Sequence, residues 1–547
     1  MSGAMIEADL VLRGGKILTV DDRFSIASAL AIRGDRLIAV GDDDAVTSLI
    51  GPKTRVINLK GRTVIPGLHD SHMHTMNGGN NELAVSLAKA RSIADVQAAF
   101  AERAATVKKG NWIMGGSGWH ENQLAEGRLP VRQELDAVTP DNPVYLKRGG
   151  HVAVVNSLGL KLAKIAKDTP NPRNGIIVRD PASGEPTGVL VERAAFNMVL
   201  NLVPPPSRDD RVKGLKLFNG KLNRFGITAT LEPGLSLDEV AAYMELWRQG
   251  GMTTRVRILQ RVFGADDVLN LSQFLAPDFG DDWLRVGGFK YSADGGIEGA
   301  ALRERYRVVE GEQNDPDYYG KLVTPPGGRA EFRQMLENAA SRGWQFQVHN
   351  VGDAAIAHTV EVMEELAEVY PLDKLRWTIV HIFLPSHESL AKIKQLGLST
   401  TVQDHPVSLG YNMLRFWGEE RAAKSIPVRS ITSLGIPTGG GTDGPTVDWN
   451  PFKSLWWMTT RQVVVNKEQR KLGPDEAIGR EEALRLYTMG SARVGFMEDK
   501  IGSLEPGKLA DLAVLSDDYM SVKDDALLDL RSVMTMVGGK IVHEEAI

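Results

Sequence analysis

Two histidines one residue apart, His72 and His74, close the stretch Pro66-Gly67-Leu68-His69-Asp70-Ser71-His72-Met73-His74. A β-branched and apolar run, Thr63-Val64-Ile65, precedes them. It predicts that the chain reaches both histidines at the end of a strand, where residues two apart face the same side. Two imidazoles on one face make half of a metal site. Taken alone, a His-x-His is equally a chance pair, because short motifs recur by accident. The rest of the chain weighs against chance: Lys290, His349, His381 and Asp443 each fall at the C-terminal end of a predicted strand. Neutral imidazole and carboxylate suit Zn and similar divalent ions, whereas a lysine ammonium cannot ligate a cation at all.

The elements that must position these residues read as a repeating βα series. Strands are predicted over 228–231, 254–260, 285–291, 345–349, 376–381, 399–403 and 437–442, with amphipathic helical stretches between them. With the strand before His72 they number eight, which predicts an α/β fold, a (β/α)8 TIM barrel. Barrel units in a domain of roughly 250 residues repeat about every 30. His349 and His381 are 32 residues apart, and 62 separate His381 from Asp443, two units with the seventh strand skipped. The 59 residues from Lys290 to His349 make one unit plus a long loop. All these residues lie on the face where barrel active sites are built.

Both ends of the chain differ from this rhythm. Short strands separated by turns fill residues 6–65 and return within 502–515 and 533–542. One composite β-sandwich, made of residues 1–65 and 498–547, is expected from them. Residues 66–79 then carry barrel strand 1, 80–207 an inserted α+β subdomain, and 208–497 the rest of the barrel. Insertions after barrel strands often shape pockets. Trp119, His120 and His151 are therefore candidate substrate-side residues, with packing inside the insert the alternative for Trp119 and His151.

Composition narrows the classes. The 547 residues are 42% hydrophobic and 24% charged, with a formal net charge of -5 and mixed signs. No basic clustering suggests a nucleic-acid or anionic-membrane partner. Zero cysteines exclude disulfides, thiolate ligands and a cysteine nucleophile. Ile6, Ala8, Leu10 and Leu12 alternate with Glu7 and Asp9, so no apolar signal core is present. No window approaches the roughly 18 apolar residues of a membrane span. A soluble, cytoplasmic protein is expected.

The motifs PGLHDSHMH, GSGWHE, GGHVAVVNS, KYSADGG, QVHNVGDAA, IVHIF, GGGTDGPT and IGSLEPGKLADLAVL run nearly the whole length. Through them the chain resembles the amidohydrolase superfamily, and most closely its amidohydrolase family 3 branch of metal-dependent hydrolases. The resemblance implies that His72 and His74 bind one metal together with Asp443, that His349 and His381 bind a second, and that Lys290 bridges the two as a carbamate formed with CO2. Two close cations favour that anionic carbamate; an uncarboxylated lysine in a mononuclear site is the alternative. A hydroxide held between two divalent ions, most readily Zn, is a nucleophile at neutral pH, since coordination lowers the pKa of water from 15.7 to about 7. Asp443 would take its proton and return it to the leaving nitrogen. His349-Asn350-Val351-Gly352-Asp353 departs from the more usual His-Ala-Ile-Gly-Asp, and Asp353 is expected to orient a loop or ligand through hydrogen bonds. His405 is read as a loop residue past the seventh strand, with a pocket-facing position the alternative, and His69 is left out of the ligand set.

Pocket walls are expected from Trp119, His151, Tyr291, Asp294, Gln403, and aromatics within 411–417 and at Trp456 and Trp457, the last two reading better as barrel-helix core. The expected reaction is hydrolysis of a C–N bond (amide, N-acyl, N-formyl or cyclic amide) in a small, partly apolar molecule. Alternatives are a mononuclear deaminase, an ester or lactone hydrolase on the same barrel, and a non-catalytic scaffold relative. Relatives in the superfamily often form dimers or larger assemblies, but this sequence carries no interface signature.

Overall fold

The computed structural model describes residues 7–119, 121–149, 152–172, 175–308, 317–465 and 468–545. The chain forms two compact units, Met1–Met73 with Asn219–Asp443 and Trp449–Ile547, and His74–Phe218 with Gly444–Asp448.

In the first unit both termini build the sandwich. One sheet orders Arg36–Gly41, Ala29–Arg33, Leu10–Arg13 and Arg55–Asn58. The other orders Lys540–Glu544, Ser532–Val537, Leu512–Leu515, Thr63–Pro66, Lys16–Leu18 and Ile26–Ala27. Leu12, Ile17, Leu30, Val64, Val514 and Met534 meet in one apolar core. The run Thr63–Pro66, expected to lead the barrel, is thus a sandwich strand, paired with Leu512–Leu515 through Ala513 opposite Ile65. Its residues are all buried, which suits a central strand with both faces covered.

Gly67 makes the transition to the barrel. A Cβ there would fall 2.1 Å from Thr228 Oγ1, so only glycine lets the chain pass the second barrel strand this closely. The first barrel strand is then just Leu68–Asp70. The others are Ile227–Leu235, Arg255–Arg261, Leu284–Ser292, Gln345–Asn350, Thr378–His381, Ser399–Gln403 and Thr438–Gly441, all parallel neighbours in this order. Closure onto the first strand uses Ser71 N to Gly440 O at 3.0 Å and Asp443 N to His72 O at 2.8 Å. The (β/α)8 barrel with a composite sandwich is therefore the observed architecture.

Helices alternate with these strands, for instance Leu237–Arg248, which starts at Ser236 with a capping box from Glu239. Phe289, Trp344, Phe346 and Trp377 pack ring against ring along neighbouring strands. Trp456 and Trp457 are buried in the helix Pro451–Thr460, the core role the sequence favoured. Arg255 of the third strand makes a buried two-pronged ion pair with Asp511, at 2.7 and 2.9 Å, where the C-terminal sandwich segment begins.

The second unit carries a five-stranded sheet, ordered Ile176–Arg179, Pro186–Val191, Val152–Val155, Val144–Arg148 and Ile113–Gly115. Val96, Phe100, Leu146 and Val154 belong to its core. The buried Asn156 accepts from Val144 N and Gly159 N and donates to Asn142 O. No helix among the described residues is long and apolar enough to cross a membrane.

Within the sandwich, Asp518 joins the two ends of the chain, accepting from Lys16 Nζ at 2.8 Å and Thr63 Oγ1 at 3.1 Å. Partial burial raises its carboxyl, but hydrogen bonds from Lys16, Ser521 and Met520 N outweigh that and hold it at about 2, below the ordinary 3.8. The folded chain thus binds fewer protons here than the unfolded one between these values, so the stabilisation is complete above about pH 4 and is lost as pH falls through about 2. Asp518→Asn should lower stability at pH 7 by on the order of 1–2 kcal/mol after solvent screening. In urea unfolding, its difference from the parent should shrink as pH drops from 4 toward 2.

Candidate metal centre

His72, His381 and Asp443 come together at the C-terminal ends of the first, sixth and eighth barrel strands. One ligand atom from each lies within 4.8 Å of the others, and all three residues are buried. His72 Nε2 is 3.4 Å from Asp443 Oδ1, and the His72 and His381 rings are 4.8 Å apart, edge to face.

The backbone bends to assemble them. Trp377 packs on Phe346, so strict alternation would carry His381, four residues on, to that same side of its strand. Instead His381 and Ile382 adopt φ of 71° and 44°, and the His381 ring meets His349, which has the opposite parity to Phe346. Asp443 is also left-handed, at φ 61°. Such conformations cost about 1–3 kcal/mol each and persist where surrounding structure enforces them.

His72 lies two residues beyond the end of its strand. His74 belongs to the second unit, as the residue capping the helix Thr75–Glu82. The two are thus not consecutive same-face residues of one strand, as expected, because the strand stops at Asp70 and the chain turns into the helix. Asp70 governs that turn. Its carboxylate accepts from His72 N at 3.0 Å, Thr442 N at 3.0 Å, Thr442 Oγ1 at 2.8 Å and Tyr487 O–H at 2.6 Å. Burial raises Asp70 to about 7 against the pull of these four bonds. A Cβ on Gly441 would sit 2.6 Å from Asp70 Oδ1, so a side chain there would displace the carboxylate.

Burial also sets the charge of the cluster. It lowers His381 well below the ordinary imidazole value, helped by His349 and His72. His349 is lowered to about 3 by burial and Lys290. His381 Nδ1 donates to Gln403 Oε1 at 2.8 Å, which leaves its Nε2 with a lone pair. Lys290, 7% exposed, is lowered to about 7 by burial and Arg261, with Asp443 and Asp294 acting in opposition. Neutral imidazoles beside a carboxylate are a donor set that fits a divalent cation.

The other expected residues fall as follows. His349 sits against the His381 ring at 4.6 Å and donates from Nε2 to Gly295 O at 3.0 Å. Asp294 lies 3.7 Å from His349 Nε2 and accepts from the backbone N–H groups of Ala301, Val351 and Gly352. Tyr291 packs on Phe332 of the helix Gly328–Ala340, the side opposite Lys290 by strand alternation. Gln403 holds His381, and its Nε2 is buried with no partner among the described residues. Trp119 is in the core of the second unit, donating to Lys147 O at 2.7 Å. His120 and His151 lie outside the described residues. Asp353 accepts from Arg303 N at 2.9 Å, orienting the loop after the fourth strand.

Sequence reasoning missed Asp70 and Tyr487, and it misplaced His405. His405 is not a loop residue: it opens the helix His405–Trp417, is buried, and puts Nε2 3.0 Å from Asp443 Oδ2. The available signal was Pro406, which marks a helix start and sets His405 just past the end of the seventh strand. His69 is buried, lowered to about 3 by burial and Arg257, and is not in the cluster.

Eight parallel strands that gather imidazoles and a carboxylate at their C-terminal ends define a barrel of the metal-dependent hydrolase class. The chain belongs to the amidohydrolase family, which matches it over residues 55–543. It is 31% identical to Protein LONG AFTER FAR-RED 3 of Arabidopsis thaliana, covering 99% of this chain and 92% of that one. It is 27% identical to N-substituted formamide deformylase of Arthrobacter pascens, over 98% of each chain. A solved structure of an uncharacterized metal-dependent hydrolase from Pyrococcus horikoshii matches with a TM-score of 0.76 and 26% identity, covering 94% of this chain and 99% of that one.

The junction at Asp70 leads to a direct expectation. Asp70→Asn turns one of the two acceptor oxygens into a donor among groups that all donate, and should lower the unfolding free energy by about 1–3 kcal/mol, read from urea unfolding. Tyr487→Phe, which removes one donor of four, should cost less in the same measurement.

Proposed function

We propose that the protein hydrolyses a C–N bond, as in an amide, N-formyl, N-acyl or cyclic amide group, of a small and partly apolar molecule. The observation that carries this reading is the buried His72, His381 and Asp443 cluster with Lys290 beside it. The choice of a C–N bond is supported by the similarity to the Arthrobacter pascens deformylase along both chains.

His72 and Asp443 would hold one divalent ion, most readily Zn, and His349 and His381 a second. When bound, such ions supply Lewis-acid polarisation of a carbonyl and lower the pKa of a water to about 7. The chain's own residues do the rest. Lys290, with its pKa near 7, is partly free amine at neutral pH, the form that attacks CO2 to give a carbamate. Asp443 takes a proton from the attacking water as the C–O bond forms. It returns that proton to the nitrogen as the C–N bond breaks, giving an acid and an amine. Gln403, with Oε1 on His381, presents its Nε2 to a bound carbonyl or ring.

One observation favours a second reading: His349 Nε2 is committed to Gly295 O and stands outside the three-residue cluster. A mononuclear site of the deaminase type would use that arrangement.

Elemental analysis should return close to two divalent ions per chain, and native intact mass should carry one added CO2 that Lys290→Ala abolishes. One ion and an unmodified Lys290 would move the assignment to the mononuclear reading. Chelation should abolish amine release from a panel of N-formyl and N-acyl amines, and Zn should restore it. Asp443→Ala, compared at equal metal content, should lower kcat by about 10²–10⁴; retention of full rate would remove Asp443 from the proton transfer.

A further inference from the structure

We propose that His405 is a positioning residue for Asp443, holding the Oδ2 oxygen so that only Oδ1 is presented to the His72 and His381 cluster. The inference rests on reading that cluster as the metal site, and adds a residue that neither the motifs nor the ligand geometry include.

The geometry is specific. His405 Nε2 is 3.0 Å from Asp443 Oδ2, while the other carboxylate oxygen, Oδ1, is the one 3.4 Å from His72 Nε2. A carboxylate only accepts, so Nε2 carries the hydrogen and donates. The remaining ring nitrogen, Nδ1, is buried with no partner among the described residues, so nothing competes for that tautomer. Each oxygen of Asp443 is thus turned toward a different histidine.

The imidazole is held from several sides. Its ring lies 5.2 Å from His381 and 5.2 Å from Phe383. The turn before it is fixed by Ser454 Oγ donating to Asp404 Oδ1 at 2.8 Å, and Pro406 follows in the first turn of the helix. His405 therefore reaches Asp443 from a rigid element after the seventh strand, whereas Asp443 itself sits at a left-handed residue, φ 61°. A flexible Asp443 could turn both oxygens to one cation; with Oδ2 engaged it offers one. Groups that hydrogen-bond a metal-ligating side chain orient it, and losing one typically costs 10–100-fold in metal affinity.

Two measurements on the full chain test this. The first needs no metal: in metal-free protein labelled with 15N at histidine, His405 should give a downfield, slowly exchanging Nε2–H proton, assigned by its loss in His405→Gln. That proton should disappear or move upfield in Asp443→Ala. If it is unchanged in Asp443→Ala, the pairing is wrong and the proposal falls. The second uses Co(II) as the probe, with circular dichroism to confirm folding. His405→Ala should weaken Co(II) binding by about 10–100-fold and alter its visible absorption band, and His405→Gln, which restores an N–H donor, should recover most of both. A folded His405→Ala with parental affinity and an unchanged band would overturn the proposal, as would failure of the glutamine variant to recover either property. A parent chain that takes up no Co(II) would sink the metal reading instead, while the proton signal still decides the pairing.

Discussion

The buried carboxylate of Asp70 fastens the first barrel strand to the eighth, and both cluster residues on those strands depend on it. One oxygen takes the backbone N–H of His72; the other takes Thr442, immediately before Asp443, and the hydroxyl of Tyr487. Closing a barrel is hardest at this seam, because 372 residues separate Asp70 from Thr442 and the first strand offers only three residues to the ladder. Side-chain hydrogen bonds stand in for the missing ladder bonds. They work because they are dry: a carboxyl buried among four donors has no water to compete for them.

The same dryness gives the site its chemistry. Burial strips the proton from His349 and His381 and brings Lys290 to about 7, since a low-dielectric interior penalises charge. Lone pairs and a partly free amine result, and an exposed cluster would offer neither as readily. The cost appears in the backbone, where His381, Ile382 and Asp443 all sit in the left-handed region. The packed rings of Phe289, Trp344, Phe346 and Trp377 along the adjacent strands supply the rigidity that sustains such strain.

The sandwich is part of this support. Thr63–Pro66 runs from the six-stranded sheet through Gly67 straight into the first barrel strand, so the position of His72 is inherited from sandwich packing. Arg255 and Asp511 tie the third barrel strand to the C-terminal segment in a buried ion pair. Pairs of this kind are costly to break from one side, because a lone buried charge remains.

Seven of the eight barrel strands were legible in the chain within a few residues, since β-branched and apolar runs separated by helical stretches carry their signal locally. So was the placement of Lys290, His349, His381 and Asp443 at or just past the C-terminal ends of barrel strands, because the spacing of the βα repeat is local. The first strand, Leu68–Asp70, lies within the 66–79 expected for it. The run Thr63-Val64-Ile65, read as the strand that ends at His72 and His74, is instead separate from it, because Leu512–Leu515, more than four hundred residues away, takes that run into a sandwich sheet. Tyr291, expected in the pocket wall, instead packs on Phe332 of a barrel helix, the side that its alternation with Lys290 dictates. His381 shows the limit, since the left-handed turn that swings its ring to His349 overrides parity and has no local signature. What the sequence by itself determined was therefore the barrel rhythm and the residue types at strand ends, which follow from periodicity. The tertiary structure alone decided that His405 meets Asp443, that Asp70 clamps the seam, and that burial keeps His349 and His381 neutral, because those depend on groups brought together by folding and on the water folding excludes.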